Sequence, residues 1–191
     1  MFNDLTSPAA LLATRRSGKP RDMIAPGPDA DQLRTILTTA MRVPDHGKLS
    51  PWRLVVIQDR EAFAAMLQNA FRSARGRPER ADVEAIDQFA RQSPVLIAVL
   101  STPVEPSKIP LWEQQLSAGA LCMNLVASAT ASSFVASWLT GWATYDPGVV
   151  TALGGTGAHD RIAGFVFIGS PGRPLEERPR PVYEQVVSHW P

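Results

Sequence analysis

Met41-Arg42-Val43-Pro44-Asp45-His46-Gly47-Lys48-Leu49-Ser50-Pro51-Trp52 runs directly into Arg53-Leu54-Val55-Val56-Ile57. This stretch decides the fold class, because it carries the chain from a helix into a strand. Upstream, Leu33, Ile36, Leu37, Ala40 and Met41 recur at i, i+3, i+4, i+7 and i+8, the stripe of a helix with one buried side. Pro44 disfavours helical geometry at Val43 and ends the helix there. Downstream, Leu54-Val55-Val56-Ile57 is a branched apolar run of strand type. A histidine, a lysine and a glycine lie between, on a loop whose rigid flanks hold binding groups within reach of solvent.

Working outward, Ser7-Pro8 caps and starts a short helix that runs into Arg15-Arg16-Ser17-Gly18. Asp29 or Asp31 caps the helix that ends before Pro44, and Asp59 caps another through about Phe71. Ser73 to Arg80 is charged and without apolar pattern, which predicts a loop; Val83, Ile86 and Phe89 then mark a helix from about Glu79 to Arg91. Pro94 to Leu100 is a clear buried strand, and Ile162 to Gly169 is a second. Leu111 to about Ala131 is the longest helical candidate. It is polar on one side at Glu113, Gln114 and Gln115 and nearly apolar all round from Ala118, so it enters the core or a subunit interface partway along. Phe134 to Trp138 reads as a short strand, and Asp146-Pro147 opens a helix of about two turns. The tail, with Pro171, Pro174, Pro179, Pro181 and Pro191, predicts an extended arm from about 173 to 191. Four or five strands alternating with five or six helices predict an α/β or α+β layered fold in one domain, residues 1–191.

The bulk numbers bound function. Nineteen basic and 18 acidic residues leave a net charge of +1, so no global field draws nucleic acid or an anionic membrane. Sixteen of the basic residues are arginine, and the lysines are Lys19, Lys48 and Lys108. The single cysteine, Cys122, permits no intramolecular disulfide and fits a packing role. No signal peptide or membrane span is legible, which predicts a cytoplasmic protein. The three histidines lack ligand spacing, so no metal site is expected. Gly154-Gly155-Thr156-Gly157 follows a helix and lacks the dinucleotide spacing, and no phosphate loop or nucleophile elbow is present. What remains is a possible anion site. Arg15-Arg16-Ser17 could clamp a phosphate with guanidinium forks and a hydroxyl, or merely suit the end of a helix. Arg42 and His46 form a second cluster one turn apart.

The order of motifs resembles the nitroreductase family, in its small single-domain branch. The matching pieces are Arg15-Arg16-Ser17, Met41-Arg42-Val43-Pro44-Asp45-His46 with Pro51-Trp52, and Trp112-Glu113-Gln114 with Ser117-Ala118-Gly119. Trp138-Leu139-Thr140-Gly141 and Gly164-Phe165-Val166-Phe167-Ile168-Gly169 complete a series spanning about residues 8–172. The resemblance implies an α+β fold: a central, mostly antiparallel sheet flanked by helices, a long central helix, and a homodimer with interwoven arms that shares two FMN sites. It implies an NAD(P)H-dependent oxidoreductase that passes hydride through FMN to a nitro compound, quinone or similar small-molecule acceptor. Flavin N5 then carries the chemistry, with no catalytic side chain. The implied FMN contacts are Arg15, Arg16 and Ser17 at the phosphate and ribityl end, with Trp138, Leu139 and Thr140 along the ring. Arg42 and His46 are implied to reach across from the second subunit. Ser50 stands where many relatives carry glutamine or asparagine, which leaves a non-catalytic flavin-binding protein, or a specialised dehydrogenase, as alternatives. Lys48 is a candidate for charge near the ring. Arg173, Arg178 and Arg180 could join the phosphate or solvate the arm, and the second reading is preferred.

Overall fold

In the computed structural model the sheet is organised around β5 (Arg161–Pro171), and the structure describes residues 2–190. The last position of the expected arm, Pro191, lies outside the described residues. Along one edge β5 pairs with β3 (Val95–Ser101), which pairs in turn with β2 (Trp52–Val56). Along the other edge it pairs with β4 (Val135–Leu139) and, at its end, with the two-residue β1 (Met23–Ile24). Every pairing is antiparallel.

Helices cover both faces, which explains why β3 and β5 read as continuous apolar runs rather than alternating ones. Leu96, Ala98 and Leu100 of β3, with Phe165 and Phe167 of β5, point to one face. There they meet Phe63 and Leu67 of α3 (Arg60–Arg75) and Ile86 of α4 (Arg80–Arg91). The intervening Ile97, Val99, Val166 and Ile168 point to the other face. They pack on Ile36 of α2 (Ala30–Ala40) and on Leu121, Cys122 and Leu125 of α5 (Leu111–Ala131). The α+β, antiparallel expectation therefore holds, and α5 is the long central helix.

Details depart from the sequence reading for local reasons. The helix before Pro44 stops earlier, at Ala40, with Met41 as its C-cap. Ser73 to Arg75, expected in a loop, belong to α3, because Arg72 and Arg75 suit the negative end of a helix and Gly76 (φ 87°) stops it. β1 and the one-turn α6 (Trp142–Tyr145) carry too few residues to show a period. α7 (Pro147–Ala152) follows, capped by Asp146 as expected. The tail is not wholly extended: it holds a one-turn α8 (Tyr183–Val186), and Leu175 packs against the core.

Candidate functional site

The first helix, α1 (Pro8–Thr14), places Arg15, Arg16 and Ser17. Ser7 caps it, accepting from the Ala10 amide at 3.1 Å, and Pro8 occupies its first position. Beyond its end the Arg16 amide donates to Asn3 Oδ1 at 2.7 Å, and Arg15 Nη1 donates to Ser17 Oγ at 3.3 Å. Gly18 then lets the turn lie flat on β4: a side chain there would begin 3.3 Å from Val135 Cγ2 and 3.6 Å from Leu175 Cδ2. The turn is thus held between the sheet edge and the C-terminal arm.

The three elements enclose a cleft of about 520 Å³. Six basic side chains line it (Arg15, Arg16, Lys19, Arg173, Arg178, Arg180) against two carboxylates, Asp22 and Glu176. In a chain whose net charge is +1, that is a local concentration of positive charge. Several of these cations are already matched. Arg16 Nε donates to the Glu176 carbonyl at 2.8 Å and lies 3.3 Å from the Glu177 carboxylate. Lys19 pairs with Glu176 at 3.1 Å, Arg173 with Asp22 at 3.6 Å, and Arg180 with Glu177 at 3.4 Å. Arg15 has no carboxylate partner among the described residues. Its guanidinium is half-buried, and burial first, then Arg16, Arg180 and Arg178, push its pKa below the ordinary arginine value. An anion in the cleft would relieve that strain.

Leu139, at the end of β4, forms part of the far wall. Its neighbour Trp138 is half-exposed; the indole lies on Gly164 of β5 and Nε1 donates to the Ala163 carbonyl at 3.1 Å. Thr140 and Gly141 follow and line a second cavity of about 320 Å³, which meets the cleft only at Leu139. Arg15, Arg16, Ser17 and Leu139 are therefore brought together; Trp138 and Thr140, on either side of Leu139, are not on the lining of the cleft, and Thr140 lines the second cavity.

Arg42 and His46 are not on the lining of this cleft. They sit at the end of α2, fixed by polar residues one or more turns apart on α5. Asn124 Nδ2 donates to the carbonyls of Thr39, Ala40 and Arg42 at 3.0, 3.2 and 3.3 Å. Ser117 Oγ donates to the Pro44 carbonyl at 2.7 Å and accepts from Trp52 Nε1 at 3.2 Å. His46 Nδ1 lies 2.7 Å from Glu113 Oε2, so within one chain it meets that carboxylate rather than converging on a ligand with Arg42. The Asp45 carboxylate accepts from the amides of Leu49 (3.1 Å) and Ser50 (2.8 Å), holding a tight loop in which Gly47, Lys48 and Ser50 have φ of 76°, 56° and 48°.

The arm arginines Arg173, Arg178 and Arg180 line the cleft, which favours the phosphate alternative for them. Lys48 does not line the cleft of its own chain, whereas Lys19 does. Lys19 could have been found from its place two residues after Ser17. The arm arginines carried no such signal, since they return from about 160 residues away in sequence, as the Arg16–Glu176 contact does. Among the described residues no cluster of His, Cys, Asp and Glu could hold a metal ion, and no helix is long and apolar enough to cross a membrane.

A sequence profile of the nitroreductase family matches residues 12–170. The chain is 36% identical over 166 residues to the Escherichia coli K12 protein YdjA, provisionally named an NAD(P)H nitroreductase, covering 84% of this chain and 86% of that one. Among solved structures it superposes on a nitroreductase-like family protein from Bacillus cereus with a TM-score of 0.78 at 22% identity, covering 97% and 96% of the two chains. It also superposes on the NADPH:FMN oxidoreductase of Vibrio harveyi, complexed with NAD+, with a TM-score of 0.71 at 16% identity, covering 92% of this chain and 73% of the other. At those identities the two superpositions establish the fold.

Proposed function

The chain belongs to the nitroreductase family of oxidoreductases, and we propose that it binds FMN in the basic cleft and uses NAD(P)H to reduce a nitro compound, quinone or similar acceptor. The observation that carries this reading is Arg15, a half-buried guanidinium with cationic neighbours and no carboxylate partner among the described residues. A doubly charged phosphate supplies what that cluster lacks, through charge-assisted hydrogen bonds. The names of YdjA and of the Vibrio harveyi enzyme, which cite NAD(P)H, and NADPH and FMN, support the same choice of cofactors.

The residues present fit the group. Arg15, Ser17, Arg178 and Arg180 would hold the phosphate, with Arg16 and Lys19 beside them, and Trp138, Leu139 and Thr140 would flank the ring. Bound FMN would supply hydride acceptance and donation, chemistry that no side chain here provides. The protein's part is to neutralise the phosphate and to give the ring a rigid apolar flank at the end of β4.

Completion of the site calls for a second copy of the chain. α1 has no buried residue, and its Leu12 is exposed. On α5, Trp112, Leu116 and Met123 are exposed at i, i+4 and i+11, a second apolar stripe opposite the one that packs on the sheet. A homodimer formed through these faces would cover them and bring the partner's α2–β2 loop, with its arginine and histidine, toward the cleft. The test is equilibrium binding of FMN against riboflavin, which lacks the phosphate. The reading predicts tight FMN binding and a riboflavin Kd at least about 100-fold higher, the worth of two charge-assisted hydrogen bonds. Equal affinities would refute the phosphate assignment.

A further inference from the structure

The second cavity has a different character from the basic cleft. Its walls are Leu67 and Phe71 of α3, Phe89 of α4, Trp142 of α6 and Phe165 of β5. The rings meet edge to face: Phe71 on Trp142 at 5.3 Å and 84°, and Phe89 on Phe165 at 5.2 Å and 88°. Over this aromatic rim, in the last turn of α3, Arg75 places its guanidinium 5.5 Å from the Phe71 ring centre and 5.7 Å from that of Trp142.

Arg75 takes part in none of the ion pairs among the described residues. Asp82 lines the same cavity, but its carboxylate accepts from the Glu79 amide at 2.9 Å as part of the cap of α4. Thr140 and Gly141 complete the mouth, and open space surrounds Gly141 where a side chain would start.

A volume of about 320 Å³ lies at the small end of ligand pockets, enough for one or two fused rings. Aromatic walls meeting at right angles accept a flat ring, whose edge and face can complete the same geometry. A guanidinium within cation–π range of two rings still has N–H donors to offer a carboxylate. Arg75 is exposed, so a ligand carboxylate would replace water on its donors with a charge-assisted hydrogen bond. With the Asp82 carboxylate on the same lining, one negative charge is the better match than two. We propose that this cavity binds a planar aromatic monoanion, its ring between Phe71, Phe89 and Trp142 and its carboxylate on Arg75. Its binding does not depend on the flavin reading; naming it as the electron acceptor beside the β4 end does rest on that reading.

Isothermal titration of the full chain with 4-nitrobenzoate and with nitrobenzene tests the pocket. The expected result is a Kd for 4-nitrobenzoate about tenfold or more below that for nitrobenzene, since the two differ by the charge that Arg75 would meet. Arg75→Gln, at an exposed position, should raise the 4-nitrobenzoate Kd to the nitrobenzene value, while Arg75→Lys retains part of the preference. Ala85→Trp, at an exposed position on the cavity wall, should remove binding of both, with unchanged thermal melting showing that each variant folds. Saturating FMN should leave the 4-nitrobenzoate Kd within about twofold. Equal Kd values for the wild type and Arg75→Gln, binding that survives Ala85→Trp, or displacement by FMN would each overturn the proposal. Binding as expected in a protein that takes up no FMN would uphold this pocket and refute the flavin reading separately.

Discussion

Trp138 and Gly164 share one space on neighbouring strands. Trp138 pairs with Val166 in the β4–β5 register, and Gly164 lies two residues along on the same face. The indole lies where a Gly164 side chain would be, so even a methyl group there would collide with Trp138 Nε1 and Cδ1, and the Leu139 carbonyl oxygen is 3.1 Å from the same point. Glycine at 164 is therefore what lets Trp138 lie down and donate to the Ala163 carbonyl. It fixes the strand end that carries Leu139 and Thr140.

Gly164→Ala should expel the indole. Overpacking of this kind costs about 1–3 kcal/mol, and for a chain of this size each kcal/mol lowers Tm by about 2–4 °C. Thermal melting checks the first consequence and FMN affinity the second, with weaker retention expected. An unchanged Tm would show that the ring has another place to go at no cost.

Arg15→Gln should raise the FMN Kd by about 10- to 100-fold, the worth of one charge-assisted hydrogen bond. Riboflavin binding should change by less than about twofold, because the phosphate is the group that Arg15 is assigned to meet. A parallel loss for both flavins would move Arg15 from the phosphate to the ring or to the fold.

Arg42→Ala should also weaken FMN retention, although Arg42 is not on the cleft lining of its own chain. If the site is shared, an Arg15→Gln chain co-expressed with an Arg42→Ala chain restores one intact site in each mixed dimer. Flavin content of the purified heterodimer reports this directly. No recovery above either homodimer would place both residues in one chain's site.

Cys122 is buried in the α5 face of the core, and burial pushes its thiol up to about 12 from 9.0. The native protein should resist thiol reagents at pH 8 and react fully once unfolded. Between those two values the unfolded chain releases the thiol proton and the folded chain keeps it. Stability therefore falls as pH rises through that window, at up to about 1.4 kcal/mol per pH unit from this group. Cys122→Ala should lose stability at neutral pH from the small cavity, yet lose less than wild type above pH 9. Parallel stability curves would contradict the assignment.

The fold was legible wherever burial wrote a period into the chain. The α2 stripe from Leu33 to Ala40, and the apolar runs of β3 and β5, declared helix and strand because each buries a defined face; Met41, the last residue of the expected stripe, is exposed at the C-cap. The anion site was half legible, because Arg15, Arg16 and Ser17 are adjacent in sequence. For Arg178 and Arg180 the sequence left the phosphate and the solvated arm as alternatives, since only the folded arm returns them to the cleft, by way of Leu175 on the core and the Arg16–Glu176 hydrogen bond. The aromatic cavity under Arg75 was hidden for a related reason: Phe71 and Trp142 come from helices that meet only in three dimensions.

The most direct test of the central claim is one absorbance spectrum of the FMN-reconstituted, desalted protein, taken anaerobically before and after adding NADPH and, separately, NADH. The expected result is that the protein retains yellow flavin absorbance through desalting and that at least one of the two nicotinamides bleaches it. A protein that emerges colourless, or whose bound flavin neither nucleotide reduces, would contradict the assignment of the basic cleft to a working FMN.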